Sequence, residues 1–147
     1  MKAVWLLATM LLLAATGCQR KEMVSVGDAW IRLGAVPRSP GVAYFTLHGG
    51  PRDMVLLSVT SPNVIRTEMH ESMTRSGMAT MAPMATVALP ARATMAFAPG
   101  GKHVMLFDVN PAIKRGGVQT LRFTFADGLI LMRDARVVAA GDPAPKF

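Results

Sequence analysis

Soft donors dominate the chemistry available to this chain of 147 residues, which holds twelve methionines, three histidines and one cysteine. Met1 and Met10 fall in the leader described below, and five of the other ten lie between Met69 and Met84. Methionine specifies packing poorly because its side chain is flexible, and β-structure favours branched and aromatic residues, so this density asks for a chemical reason. Thioether sulfur is a soft, neutral ligand suited to Cu(I). The alternative is structural: adaptable core fillers, or a Met-rich edge that binds a protein or peptide partner without metal.

Histidine placement weighs between the two. His103 and Met105 are two apart in a segment that reads as a strand, so both project from one face, their Cα atoms roughly 7 Å apart, while Val104 and Leu106 face the other way. His70 lies in another such segment, and Met81 follows the turn Arg75-Ser76-Gly77. Two imidazoles and two thioethers would make a four-coordinate N2S2 site without charge. Such donors suit an oxidising compartment, where thiolates are lost to disulfides. Each imidazole must be neutral to bind, so affinity falls on acidification. Zn(II) sites draw on Cys and His, or on His and carboxylate with an open water position, and a blue-copper centre needs a Cys. The one cysteine, Cys18, lies at a processing site.

The other candidates have plainer readings. His48 precedes Gly49-Gly50 and reads as a surface residue at a strand end. Met78 and Met84 are each three residues from Met81, which in an extended segment puts them on the opposite face. Met69 and Met73 flank His70, and nothing in their spacing decides whether they assist binding. Trp30 reads as core or rim packing, with shielding of the copper as the alternative, and Glu68 and Glu71 as solvated carboxylates, since hard oxygen suits Cu(I) poorly. No Ser/His/Asp set or paired-carboxylate motif supports an enzyme.

These residues must be carried by short segments. A hydrophobic content of 51% supports the core of a single domain, while thirteen glycines and ten prolines break the chain too often for long helices. Alternating or β-rich windows run from Val24 to Arg32, Val42 to His48, Met54 to Thr60, Val64 to Glu71, Met78 to Met84, Ala85 to Leu89, Thr94 to Phe97, Lys102 to Val109, Val118 to Phe125 and Leu129 to Val138. About eight or nine short strands in an all-β sandwich or barrel with Greek-key connections are expected over residues 24–140. Asp127-Gly128 reads as a type I′ hairpin turn, and residues 141–147 as a loose terminus.

Met1-Lys2, an uncharged run from Ala3 to Ala15, and Ala15-Thr16-Gly17-Cys18 read as a lipoprotein signal peptide over residues 1–17. The run is shorter than the roughly 20 residues a membrane-spanning helix needs. Cys18 is then the lipidated first residue, residues 18–23 are a tether, and the protein works in the periplasm or cell envelope on a membrane anchor. The net charge of +7 comes from scattered basic residues, which suits anionic lipid or an acidic partner and not nucleic acid.

The spacing His70-x10-Met81-x21-His103-x-Met105 resembles the metal signature of the periplasmic PCuAC-type copper chaperones. The flanks are similar too: Asp28-Ala29-Trp30-Ile31-Arg32, Glu68-Met69-His70-Glu71, Pro99-Gly100-Gly101-Lys102-His103-Val104-Met105-Leu106-Phe107 and Leu121-Arg122-Phe123-Thr124-Phe125-Ala126-Asp127-Gly128. The resemblance covers Val24 to Val138. It implies a cupredoxin-like β-sandwich holding Cu(I) through His70, Met81, His103 and Met105, and delivery to an acceptor such as the CuA centre of cytochrome c oxidase or another copper chaperone. The tail Gly141-Asp142-Pro143-Ala144-Pro145-Lys146-Phe147 lacks the His/Met-rich extension of some members, so one copper per chain is expected.

Overall fold

The computed structural model describes residues 23–147, so the expected signal peptide and Cys18 lie outside the described residues. Ten strands follow in order, with no helix among the described residues: β1 Ser25–Arg32, β2 Gly41–His48, β3 Met54–Thr60, β4 Val64–Arg75, β5 Met78–Met84, β6 Val87–Leu89, β7 Thr94–Phe97, β8 Lys102–Val109, β9 Val118–Phe125 and β10 Ile130–Val138. The all-β expectation is met, with one or two strands more than anticipated. They form one hydrogen-bonded ladder in the order β5-β4-β8-β7-β2-β1-β10-β9-β3-β6, with β8 also pairing β2. The order is far from sequential, and β1 pairs with β10 in parallel.

The ladder folds over on itself. Phe45 on β2 meets Phe123 on β9 edge to face at 4.8 Å, although β1 and β10 lie between their strands in the ladder. Only a sheet curled into two facing layers brings them together, which is the sandwich solution to burying one face of each strand. Phe97 stacks on Phe45 at 4.3 Å, and Leu47, Leu56, Val104, Leu106, Leu121 and Phe125 complete the fully buried centre. The alternation that feeds this layer is plain in β9, where Gln119, Leu121, Phe123 and Phe125 are buried and the residues between them are not.

Two links set the strands that matter for the site. Between β3 and β4, Gln119 donates to Ser61 Oγ at 2.9 Å and accepts from Asn63 Nδ2 at 3.1 Å, so the buried amide is satisfied at both ends and the start of β4 is fixed. Between β4 and β5, Ser76 (φ 50°) and Gly77 (φ 77°) both occupy the left-handed region, as a two-residue type I′ turn demands. The type I′ turn expected at Asp127-Gly128 is instead a wider loop. The Gly128 N–H donates to the Phe125 carbonyl at 3.0 Å, only Gly128 has positive φ, and Asp127 Oδ1 accepts the Leu129 N–H at 3.1 Å. Backbone bonds close this loop, the Phe125 N–H also donating to the Leu129 carbonyl at 2.9 Å, and the Asp127 side chain reinforces it.

Residues 141–147, expected as a loose terminus, make specific contacts. Arg32 donates to the Asp142 carbonyl at 3.2 Å and Arg136 to the Lys146 carbonyl at 2.8 Å, with the Arg136 guanidinium 5.0 Å from the Phe147 ring.

Candidate metal centre

Strands β4 and β8 pair antiparallel with His70 opposite His103 and Glu68 opposite Met105. Register partners project from the same face, so His70, His103 and Met105 share one surface, while Met69, opposite Val104, turns into the core. The two imidazole rings stand 5.9 Å apart between centroids, with planes 23° from parallel. His103 is buried and His70 nearly so, and Met105 is half-buried beside its other partner, Val42.

Met81 reaches that surface through the hairpin. The tight turn closes with Arg75 opposite Met78, and that register sets Met81 opposite Ser72, two residues beyond His70. Both thioethers are thus diagonal neighbours of His70, about 7–8 Å away between Cα atoms, Met105 on one side and Met81 toward the hairpin tip. A slip of one residue would turn Met81 to the opposite face. Met81 is 58% exposed. Met84, opposite Met69, packs against the core, and Met73 and Met78 are exposed on the face away from His70.

Hydrogen bonds fix both rings. His103 Nδ1 lies 3.0 Å from the Gly101 carbonyl, which also accepts the Ser72 N–H at 3.1 Å. His70 Nε2 lies 3.0 Å from Glu68 Oε2. Glu68 Oε1 pairs with Arg66, whose guanidinium sits 3.8 Å from the Phe107 ring centroid. On the other face, in the next register pair, Lys102 Nζ lies 2.6 Å from Glu71 Oε1. Glu68 and Glu71 are therefore engaged, and not simply solvated as their sequence suggested. Glu-x-His in a strand puts both side chains on one face, which was the available sign of the Glu68 contact.

His70 Nδ1 is buried without a hydrogen-bond partner. Leaving a buried ring nitrogen unpaired is costly, and a dry imidazole nitrogen on a ring that shares its sheet face with a second imidazole and two thioethers has the character of a ligand atom for a soft cation. Among the described residues no group of three or more His, Cys, Asp and Glu could hold a metal. The face that carries His70 and His103 also carries the thioethers of Met105 and Met81.

Trp30 shares the face of Met105 through Tyr44 and Val42 but stands two strands away, and His48 lies at a strand end. Trp30 packs on Tyr44 at 4.5 Å under the Arg32 guanidinium, on β1, two strands from β8 through β2. His48 is exposed at the end of β2, its Nδ1 3.4 Å from Thr94 Oγ1.

The model of the LpqE-like lipoprotein family matches residues 24–137. A protein of Leifsonia xyli subsp. xyli named as a lipoprotein is 26% identical over 132 residues, covering 80% of this chain and 78% of that one. Among solved structures, the copper-bound PCuAC domain from PmoF2 superposes with a TM-score of 0.66 at 20% identity, covering 79% of this chain and 92% of that domain. The Cu(I) form of DR1885 from Deinococcus radiodurans superposes with a TM-score of 0.62 at 28% identity, covering 85% of each chain. The fold is the cupredoxin-like sandwich of PCuAC domains.

Proposed function

The chain belongs to the LpqE-like family, of PCuAC type, and on that premise we propose that it is an exported, non-enzymatic metallochaperone that carries one Cu(I). His70, Met81, His103 and Met105 are its ligands. The observation that carries this reading is the buried, unpartnered Nδ1 of His70, on a ring 5.9 Å from that of His103 across β4 and β8, with both thioethers on the same sheet face. The Cu(I) form of DR1885 supports it by its likeness.

The donors divide by rigidity. His70, His103 and Met105 stand on two paired strands whose opposite face enters the core, so they form the fixed part of the centre. Met81 stands on β5, the last strand of the ladder, and is the outer donor. Four neutral donors leave the charge of the ion uncompensated, so it is held less tightly than by thiolates. An acceptor ligand replaces Met81 first, and the ion passes by stepwise exchange. Cys18 carries the lipid anchor in the envelope, and the acceptor is a copper protein such as the CuA domain of cytochrome c oxidase or a further chaperone.

Titration of the apo protein with Cu(I) is expected to saturate at one equivalent. Unchanged affinity after His103→Ala with Met105→Ala would reject these ligands. Transfer to an apo CuA domain, read from the acceptor's spectrum, tests delivery.

A further inference from the structure

The proposed centre raises a question that its four ligands do not answer: which nitrogen of His70 takes the metal. A neutral imidazole carries one proton, and the nitrogen without it is the only one able to bind an ion. An ionised carboxylate accepts hydrogen bonds and cannot donate them, as does a backbone carbonyl. Glu68 Oε2 lies 3.0 Å from His70 Nε2, so the proton of His70 sits on Nε2 and the lone pair on the buried Nδ1. The Gly101 carbonyl lies 3.0 Å from His103 Nδ1, so that ring has the opposite arrangement, with its lone pair on Nε2. The two histidines are held as different tautomers by different acceptors.

We infer that Glu68 is a positioning residue of the copper centre: it holds His70 as the Nε2–H tautomer, so that copper is taken through Nδ1 of His70 and Nε2 of His103. The inference rests on the chaperone reading. Glu68 is itself anchored, since its second oxygen pairs with Arg66 and that guanidinium lies 3.8 Å from the Phe107 centroid. Glu68, His70, Arg66 and Phe107 stand on one face of β4 and β8, where Arg66 is the register partner of Phe107. The chain from Phe107 through Arg66 and Glu68 thus ends on the ring that carries the dry lone pair. A carboxylate behind a ligating imidazole fixes the ring's orientation and makes its free nitrogen a better donor.

The test is long-range nitrogen–proton NMR of the histidine rings in the full chain, apo and with Cu(I), in the wild type, Glu68→Ala and Glu68→Gln. In the apo wild type His70 is expected to show its proton on Nε2, and Cu(I) is expected to perturb Nδ1 of His70 and Nε2 of His103. Glu68→Ala is expected to lose the tautomer preference of His70, leave His103 unchanged, and weaken Cu(I) binding roughly 10–100-fold. Glu68→Gln keeps an acceptor oxygen and is expected to recover part of both. A proton on Nδ1 of His70 in the apo wild type, or copper perturbing its Nε2, overturns the inference without recourse to any variant. So does a folded Glu68→Ala protein with unchanged tautomer and affinity. A wild type that takes no Cu(I) sinks the chaperone reading instead, while the apo tautomer still decides whether Glu68 sets the ring.

Discussion

Met81 stands opposite Ser72 in the β4–β5 ribbon, so the outermost thioether is placed by a two-residue turn and not by the core. Met81→Ala should therefore leave stability within about 0.5 kcal/mol, as for other exposed substitutions, and accelerate Cu(I) release in stopped-flow competition with a chelator. Moving the thioether one place, with Met81→Ala and Ala82→Met together, sends it to the opposite face. That variant should release copper as fast as Met81→Ala alone. Restored retention would show that proximity along the chain, and not the face, is what matters.

Phe123 closes the two layers against Phe45, and neither ring has room to be replaced by solvent. Phe123→Ala should destabilise the domain by about 3–5 kcal/mol in a denaturant titration. Because the site lies on the other face of β4 and β8, the variant should still bind one Cu(I) below its unfolding transition.

The single tyrosine gives a clean probe of the sheet beside β8. Burial pushes the Tyr44 phenol up from the usual value near 10, with the Arg32 charge opposing it. The folded state then keeps its proton where the unfolded state has lost it. This contribution to stability is full below the unfolded pKa and is lost as pH rises through the folded one. Absorbance titration of the native protein should place the phenol midpoint above that of the urea-unfolded chain, and a midpoint at or below it would contradict the packing described for Tyr44.

Lys102 and Glu71 pair on the face away from the histidines, with side chains 27% and 38% exposed. Such a pair contributes little, so Lys102→Ala should cost under about 1 kcal/mol and weaken further in dependence on salt. Copper affinity should stay near that of the wild type, unlike the loss expected for Glu68→Ala.

The strands were legible wherever one face is buried. Lys102 to Val109 and Val118 to Phe125 have the bounds that alternation predicts. β4 was not, running to Arg75 when its pattern stops near Glu71. Ser72, Met73, Thr74 and Arg75 bury no regular stripe, and what keeps them extended is pairing with β5, which sequence periodicity does not register. The same limit applies to the site. Alternation puts His103 beside Met105, but only long-range register sets His70 opposite His103. Glu68 was passed over because its oxygen is a poor copper ligand, whereas its contact is with Nε2 of His70, a proposed ligand.

In the proposed centre, the split between a half-buried and an exposed thioether has a chemical consequence on contact with peroxide. Conversion to the sulfoxide follows access, so among the sulfur donors Met81 is the one attacked first and half-buried Met105 the one spared. The damaged centre would keep both imidazoles and one sulfur, and lose the side chain proposed to exchange first in handover. Sulfoxide reduction at that single position would put the carrier back into service without refolding.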